Sequence, residues 1–205
     1  MTQPEDPRRQ PRQARSKFTV DAILEAATRV FDQHGYDFAT TNRVAETAGV
    51  SIGSLYQYFP NKDALLTALH ERHVEQVLGE VQAALRSSRG EPLSVALRTL
   101  VQQVLALHRE TPRLQRVLHT ERPWLERPAT DSAAAQRLFT ATRDWLAAHR
   151  EEVTVAGLDV AAVTVLRLVE SLVHAAVLDP APGADDAALV DAIAEAALGY
   201  LVLAR

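Results

Sequence analysis

The stretch from Thr40 to Phe59 reads TTNRVAETAGVSIGSLYQYF and predicts two short helices joined by a tight turn. Gly49 supplies the turn, because glycine adopts a left-handed backbone without a steric cost. Ser51 follows and can cap the second helix with its hydroxyl. Val44 on the first helix and Leu55 on the second can then close a small core. The stretch therefore predicts a helix-turn-helix.

The second helix presents groups that suit a nucleic-acid surface. Gly53 lets the backbone approach closely, and Tyr56 and Tyr58 carry phenol hydroxyls that can reach phosphate oxygens. Lys62, at the start of the next helix, adds a charge for a phosphate contact. The alternative is that the aromatic residues are core side chains of a small bundle, which fits Phe59 best.

Apolar residues recur at helical spacing along the chain, and no alternation of period two is present. The sequence therefore predicts an all-α fold of about nine helices, with an N-terminal helix-turn-helix domain and a C-terminal helical domain. The predicted helices are 19–35, 41–47, a short one after Ser51, 62–86, 92–109, 112–119, 131–149, 159–178 and 185–203.

Charge and composition predict three segments. Residues 1–17 have five basic and two acidic side chains and almost no large apolar residue, so they predict a disordered basic arm. Residues 18–65 form the predicted helix-turn-helix DNA-binding domain, and residues 66–205 a second, helical domain. The whole chain has a net charge of −4, which argues weakly against nucleic-acid binding. That total averages a basic arm and an acidic body, so it does not decide the question.

Composition excludes several classes of protein. The 205 residues include no cysteine, which removes disulfide scaffolds, thiol nucleophiles and cysteine-ligated zinc, and fits a reducing, cytoplasmic location. No apolar segment follows the basic residues of the arm, so a signal peptide is not expected. The longest charge-free run, Thr47 to Asn61, is broken by glycine and proline, so no membrane span is expected.

Residues 19–65 resemble the DNA-binding domain of the tetracycline-repressor (TetR) family of bacterial transcription regulators. The positions that match at uninterrupted spacing are Ile23-Leu24, Ala26-Ala27, Phe31, Gly35-Tyr36, Val44-Ala45, Ala48 to Ser51, Gly53, Leu55-Tyr56, Tyr58-Phe59, Lys62 and Leu65. The resemblance covers about a quarter of the chain, and the helix count and length also fit the family.

The resemblance implies DNA contacts from both helices of the motif. The implied residues are Thr40, Thr41, Asn42, Arg43, Ser51, Ile52, Gly53, Ser54, Tyr56, Tyr58 and Lys62. Asn42 and Arg43 are the expected base readers, since their side chains match adenine and guanine edges. The family often has a basic residue where this chain has Ile52. Ala39 replaces a common hydroxyl residue, which leaves either Thr40 or Thr41 as the helix cap.

The resemblance also implies that residues 66–205 form a ligand-sensing and dimerisation domain, in which the helices bind a small-molecule effector and the last two build a four-helix bundle in a homodimer. Candidate ligand-binding residues are Leu107, His108, Trp124, Phe139, Trp145, Glu170 and His174. An ordinary core role fits each of them at least as well. Thr164, Arg167, Ser171 and His174 form a polar stripe that can touch a ligand or the dimer partner, and the interface is favoured.

The resulting hypothesis is a repressor that leaves a palindromic DNA operator when a small molecule binds. No catalytic residue, metal site, cofactor or membrane partner is expected. One rival is an all-α enzyme that uses metal or His/carboxylate chemistry, for which His70 and His73 lie at neighbouring helical positions. The other rival is a helical adaptor that does not bind DNA.

Overall fold

The computed structural model describes residues 9–88, 90–118, 133–180 and 182–202. Within these residues all the regular structure is helical, in the order α1 (Arg9–Phe38), α2 (Thr41–Ala48), α3 (Ile52–Tyr58), α4 (Lys62–Ser87), α5 (Leu93–Arg109), α6 (Pro112–Arg116), α7 (Ala133–Ala148), α8 (Leu158–Leu178) and α9 (Asp186–Leu201). The prediction of an all-α chain with about nine helices is confirmed for the described residues. The chain divides into two compact units, Met1–Leu69 and His70–Arg205, and the boundary between them falls within the residues of α4.

Helix α1 begins at Arg9, ten residues before the predicted start at Thr19. Residues 9–17 of the predicted arm are therefore helical, because glutamine, arginine and alanine are good helix formers and Pro11 stands in the first turn, where its missing N–H costs nothing. At the other end, Gly35 has φ 69° and ψ 179°, a non-helical conformation that kinks α1 where the sequence predicts the first helix to end, and α1 continues beyond it to Phe38.

The first unit packs around α1. Its predicted apolar face, Ile23, Ala27, Val30 and Phe31, is buried as expected. The Phe31 ring stacks on the Tyr36 ring with 6.3 Å between their centroids. Helix α3 contributes one buried side chain, Leu55, to this unit. The attachment of α3 therefore depends on a single apolar anchor.

The second unit has a core formed by α4, α5, α7, α8 and α9. Helix α5 packs against α8 and α9, and α7 packs against α8. The largest fully buried side chains of this unit include Leu93, Leu97, Leu105, Leu118 and Leu146. Trp145 also belongs to the core, as its apolar neighbours on α7 predict.

Helix α8 leaves part of its apolar surface open. Val165, Val169 and Val173 are buried in the core, whereas Val160 is 67% and Val163 48% exposed. By length and composition alone, α8 is also the one described helix that could cross a membrane, with a mean hydropathy of 1.7 in its most apolar window. The expectation of no membrane span rested on the longest charge-free run of the sequence. Helix α8 did not enter that comparison because it contains Asp159, Arg167 and Glu170.

Candidate nucleic-acid interface and ligand site

Local hydrogen bonds fix the predicted turn. Thr40, and not Thr41, is the N-cap of α2, and its side chain accepts a hydrogen bond from the Arg43 amide at 3.2 Å. Gly49 ends the helix with φ 68° and ψ 28°, as its predicted role in the turn requires. Ser51 then caps α3, because its Oγ accepts a hydrogen bond from the Ser54 amide at 3.1 Å. The two helices of the motif therefore begin and end at positions that the sequence predicts.

The described structure leaves most of the predicted DNA contacts accessible. Seven of them are exposed, namely Thr40, Asn42, Arg43, Ser51, Ile52, Gly53 and Tyr56. Thr41, Ser54, Tyr58 and Lys62 are half-buried. Ile52 and Tyr56 have large side chains, and 38% and 50% of their surfaces are exposed. They lie outside the core, in which Leu55 of the same helix is buried. An exposed apolar side chain can contact a thymine methyl, and an exposed hydroxyl can donate to a phosphate oxygen.

Hydroxyl pairs connect the elements of this surface. Thr41 Oγ1 and Tyr56 Oη lie 3.2 Å apart and join α2 to α3. Ser16 on α1 donates to Tyr58 Oη at 3.3 Å, a contact that sequence reasoning missed because the two residues are 42 positions apart. The predicted base reader Arg43 donates from Nη1 to the Phe38 carbonyl at 3.1 Å. These bonds hold the side chains in place before any ligand arrives.

Lys62 lies at the start of α4, but its ammonium contacts the protein. Nζ donates to the Tyr36 carbonyl oxygen at 2.6 Å and lies 3.7 Å from the centroid of the Tyr36 ring. The Tyr36 hydroxyl in turn donates to Asp63 Oδ1 at 2.5 Å. A cation over an aromatic ring gains an attraction of about 0.5–2 kcal/mol, depending on its exposure. Lys62 therefore has a structural role, and a direct phosphate contact would need this ammonium to turn away from Tyr36.

Asn61 completes the local architecture. Its side-chain Oδ1 accepts a hydrogen bond from the Ala64 amide at 2.8 Å, which caps α4 at the start that the sequence predicts for this helix. Asp63 follows in the first turn, where the helix dipole favours an anion.

The predicted ligand-binding residues of the second unit fall into two groups. Trp145 is buried in the apolar core, and Phe139 packs against that core. His108 is buried, and its ring centroid lies 5.0 Å from that of the half-buried His174. Leu107 and Glu170 are also half-buried. Trp124 lies outside the described residues, as does Asp131, at which the predicted helix 131–149 begins.

His73 was missed as a partner of His108. The two rings approach with 3.2 Å between their Nε2 atoms and 4.7 Å between their centroids. We call His73, His108 and His174 the histidine cluster. The sequence held a signal for the burial of His73 but not for its partner, because His73 shares the helical period of Leu69, Val77 and Val81 and so belongs to the apolar face of α4. In the part of the chain that the structure describes, no group of three His, Asp or Glu side chains is placed to hold a metal ion.

Burial controls the protonation of His108. The Nδ1–H of His108 donates to the Val104 carbonyl at 2.8 Å, which fixes the tautomer and leaves Nε2 as an acceptor. Burial lowers the pKa of His108 below the ordinary value of 6.5, and the hydrogen bond to Val104 opposes that effect in part. The neutral imidazole therefore belongs to the folded state at neutral pH.

We expect the second unit to lose stability as the pH falls below 6.5. The unfolded chain protonates His108 from that pH downward, whereas the folded state resists until its lower pKa is reached, so the unfolded state binds more protons. The midpoint temperature of thermal unfolding, measured by circular dichroism between about pH 7.5 and pH 5.5, should fall with pH. His108→Gln should flatten the dependence. An equal slope in both proteins would show that His108 is not the titrating group.

The polar stripe on α8 divides between two environments. Arg167 and Ser171 are exposed on the same helical face as Val160 and Val163, and Arg167 forms an ion pair with Glu170 at 3.1 Å. His174 instead lies beside His108 in the interior of the second unit. The dimer-interface interpretation therefore suits the exposed Arg167 and Ser171 better than His174. The His174 ring packs on the buried ring of His108, so it makes this contact within its own chain.

Two protein-family models match this chain. Residues 23–69 match the family model of bacterial regulatory proteins of the tetR family. Residues 92–201 match the model of the tetracyclin repressor-like C-terminal domain, and this second match alone covers more than half of the chain. The chain belongs to the TetR family. The resemblance noted in the sequence is thereby confirmed, and it extends well beyond the helix-turn-helix.

Individual TetR relatives agree with this assignment. An uncharacterised HTH-type transcriptional regulator of Mycobacterium tuberculosis H37Rv is 32% identical over 111 residues, which are 53% of either protein. The HTH-type transcriptional activator FasR of Mycolicibacterium smegmatis is 41% identical over 66 residues, 32% of this chain and 30% of FasR. The matched region therefore spans about half the length of the first relative and under a third of the second.

Solved TetR-family structures share the fold. A tetR-family regulatory protein from Rhodococcus RHA1 superposes with a TM-score of 0.66 at 22% identity, over 91% of this chain and 98% of that one. A TetR-family regulator from Streptomyces coelicolor gives a TM-score of 0.65 at 24% identity, over 89% and 97% of the two chains. At these identities, the comparison establishes the fold alone.

Proposed function

We propose that this chain is a cytoplasmic, DNA-binding transcriptional repressor that acts as a homodimer and leaves its operator when a small molecule binds. Family membership supports regulation, and the exposed surface of α2 and α3 supports DNA as the partner. The observation that carries the proposal is the capped helix-turn-helix with its seven exposed candidate contacts. The proposed action is binding alone, without catalysis and without a cofactor.

The proposed DNA contacts divide by chemistry. Asn42 and Arg43 are proposed to read base edges in the major groove, and Ile52 to contact a thymine methyl. Tyr56 is proposed to donate its hydroxyl to a phosphate, supported by its exposure and by its position 3.2 Å from Thr41 Oγ1. Lys62 is proposed to act mainly through Tyr36, by holding the start of α4.

Dimerisation is proposed through α8 and α9. On α8 the exposed Val160 and Val163 offer apolar surface. On α9 the exposed residues include Ala192, Ala196 and Gly199, whose small side chains let another helix approach closely. Apolar surface on one helix and a smooth surface on the next support a self-complementary interface, which is the usual form of a two-fold dimer.

Effector release is proposed to follow from linkage. A dimer holds two recognition helices against half-sites about 34–36 Å apart along the DNA. A ligand that binds better to a conformation with another spacing lowers DNA affinity by the same factor that DNA lowers ligand affinity. Helix α4 is the proposed lever, because its sequence runs from the first unit into the second.

Replacement of Arg43 tests the proposed base contact. Loss of a bidentate contact should weaken operator binding by about 1–3 kcal/mol, or roughly 5- to 150-fold, and should relax the preference at one base pair. Arg43→Ala should be compared with Arg86→Ala, because Arg86 is an equally charged, exposed residue in the last turn of α4. The measurement is a gel-shift titration with a palindrome from the promoter region of the chain's own gene. Equal affinities of the two variants would contradict the assignment of Arg43.

A further inference from the structure

The start of α1 is strongly basic. Residues 9–17 read RQPRQARSK, and we call them the basic segment. Its four basic side chains are those of Arg9, Arg12, Arg15 and Lys17. The segment has no acidic residue, and the two acidic residues of the N-terminal stretch come before the helix. About two and a half helical turns therefore have an excess of four positive charges.

The basic segment continues the face of α1 that packs into the core of the first unit. Ile23 and Ala27 are completely buried on that face. Ser16 precedes Ile23 by seven residues, and Arg12 and Arg9 precede Ser16 by four and seven. Residues at these spacings share one side of a helix. The face is therefore apolar in the core, has a hydroxyl at Ser16 and is basic toward its N-terminal end, so it matches an anionic partner there.

One hydrogen bond places this face beside the proposed recognition helix. Ser16 Oγ donates to Tyr58 Oη at 3.3 Å, and both residues are half-buried in the first unit. Tyr58 is the last residue of α3, the helix on which Ile52 and Tyr56 are exposed. At 1.5 Å per residue, Arg12 lies about 6 Å before Ser16 along the helix axis. The basic positions therefore begin one turn away from a contact with α3.

The helix-turn-helix itself offers few cations for the DNA backbone. The run Thr47 to Asn61, which includes all of α3, has no charged residue. Lys62 donates its ammonium to the Tyr36 carbonyl, and Arg43 donates to the Phe38 carbonyl. Cations that neutralise phosphates supply essentially all of non-specific DNA binding and a large share of specific binding. A DNA-binding chain of this composition therefore needs cations from another element.

We propose that the basic segment is a second DNA-binding element, in which Arg9 and Arg12 contact backbone phosphates beside the groove that α3 is proposed to enter. The inference rests on the proposed DNA-binding function and adds a contact surface to it. Contacts with phosphates position a protein on the duplex but do not read its sequence. The basic segment therefore adds affinity for any DNA, while α2 and α3 select the operator.

Duplex DNA suits the basic segment better than an anionic membrane does. A helix that lies on a membrane needs a broad face of large apolar side chains as well as basic residues. The apolar residues of the segment are limited to Pro11 and Ala14, and neither is large. Phe18 follows directly and is 76% exposed, but it is a single side chain. The charge of the segment is thus matched by phosphates, without an apolar face to insert into lipid.

A salt titration tests the proposed phosphate contacts. Arg9→Gln combined with Arg12→Gln is compared with Arg29→Gln combined with Arg86→Gln, which removes the same charge from exposed positions of α1 and α4. Fluorescence anisotropy of the full chain measures affinity for the promoter-region palindrome and for an unrelated duplex between about 50 and about 200 mM salt. The slope of log affinity against log salt should fall by about 0.9 per lost contact, or about 3.6 for the four contacts of a dimer.

The first double variant should also lose affinity for both duplexes by the same factor, because phosphates are common to all sequences. Its disadvantage relative to the unaltered chain should shrink by about 10²-fold from the lowest to the highest salt. The second double variant should keep the slope of the unaltered chain. Equal slopes in the two double variants would overturn the proposal.

Site-directed cleavage of DNA measures proximity independently of affinity. The chain has no cysteine, so Gln13→Cys provides a single attachment point for an iron–EDTA group next to Arg12. Hydroxyl radicals from this group should cut the backbone at the edge of each half-site. Gln82→Cys, at an exposed position near the end of α4, is the control and should give no such cuts. Absence of cuts from the Gln13 position on bound operator would also overturn the proposal.

The results separate this proposal from the proposed function on which it rests. Selective operator binding with an unchanged salt slope in the Arg9 and Arg12 double variant would contradict only the role of the basic segment. Equal binding of operator and unrelated DNA, with the slope reduced as expected, would contradict only the proposed repressor. Binding to phosphatidylserine vesicles that requires Arg9 and Arg12, together with DNA binding that does not, would assign the segment to a membrane and overturn the proposal.

Discussion

Replacing Leu55 with alanine is expected to lower the free energy of unfolding of the first unit by about 2–5 kcal/mol and to abolish operator binding. Leu55 is completely buried and is the one buried side chain of α3. A seven-residue helix is too short to be stable alone, so its packing holds it in place. Without this anchor, the hydroxyls and the phenol of α3 lose their common orientation.

The matched control lies on the same helix. Ile52→Ala removes a similar volume from an exposed position, so it should change stability by less than about 0.5 kcal/mol while weakening DNA binding through its own contact. Urea unfolding followed by circular dichroism gives the stability, and a gel shift gives the affinity. Wild-type stability in Leu55→Ala would contradict the packing that the structure assigns to α3.

Replacing Val163 with glutamate is expected to convert the proposed dimer into a monomer. Val163 is 48% exposed on α8, on the same helical face as Val160, which is 67% exposed. A carboxylate there must be desolvated if two such faces meet, and Arg167 on the same face already pairs with Glu170, so its burial should cost several kcal/mol on each side. Loss of the dimer separates the two half-site contacts, and affinity for a two-site operator should fall by about 10²–10⁴-fold.

Val95 provides the control for this substitution. It is a 42% exposed valine of the same unit, but it lies on α5 and not on the proposed interface. Val95→Glu should therefore remain dimeric and bind the operator as the unaltered chain does. Light scattering at micromolar concentration measures the mass of both variants. A monomer in the unaltered chain, or a dimer in Val163→Glu, would contradict the proposed interface.

Local sequence patterns predicted the helix ends well because the bonds that fix them join neighbours. Ser51 and Asn61 each accept a bond from an amide three residues on, so a serine or asparagine before an apolar run is enough to find the cap. The choice between Thr40 and Thr41 stayed open in the sequence because either hydroxyl can reach an amide of the first turn. Thr40 has the extended backbone that an N-cap requires.

Contacts between distant residues were out of reach of the same patterns. His73 and His108 are 35 positions apart, and their meeting depends on how α4 and α5 pack, which no periodicity specifies. Lys62 was predicted as a phosphate contact from its charge, but Tyr36, 26 positions earlier, supplies both a carbonyl and a ring for it. The start of α1 at Arg9 was not predicted because the stretch before residue 19 has few apolar residues. Helix propensity without a buried face is a weak signal.

Hydroxyl-radical footprinting on the promoter-region palindrome tests the central claim, binding of two half-sites by two recognition helices, most directly. The account predicts two protected regions on one face of the DNA, with centres about 34–36 Å or roughly one helical turn apart. Leu55→Ala should remove both regions together. Absence of protection at low salt, or equal protection along unrelated DNA, would contradict it.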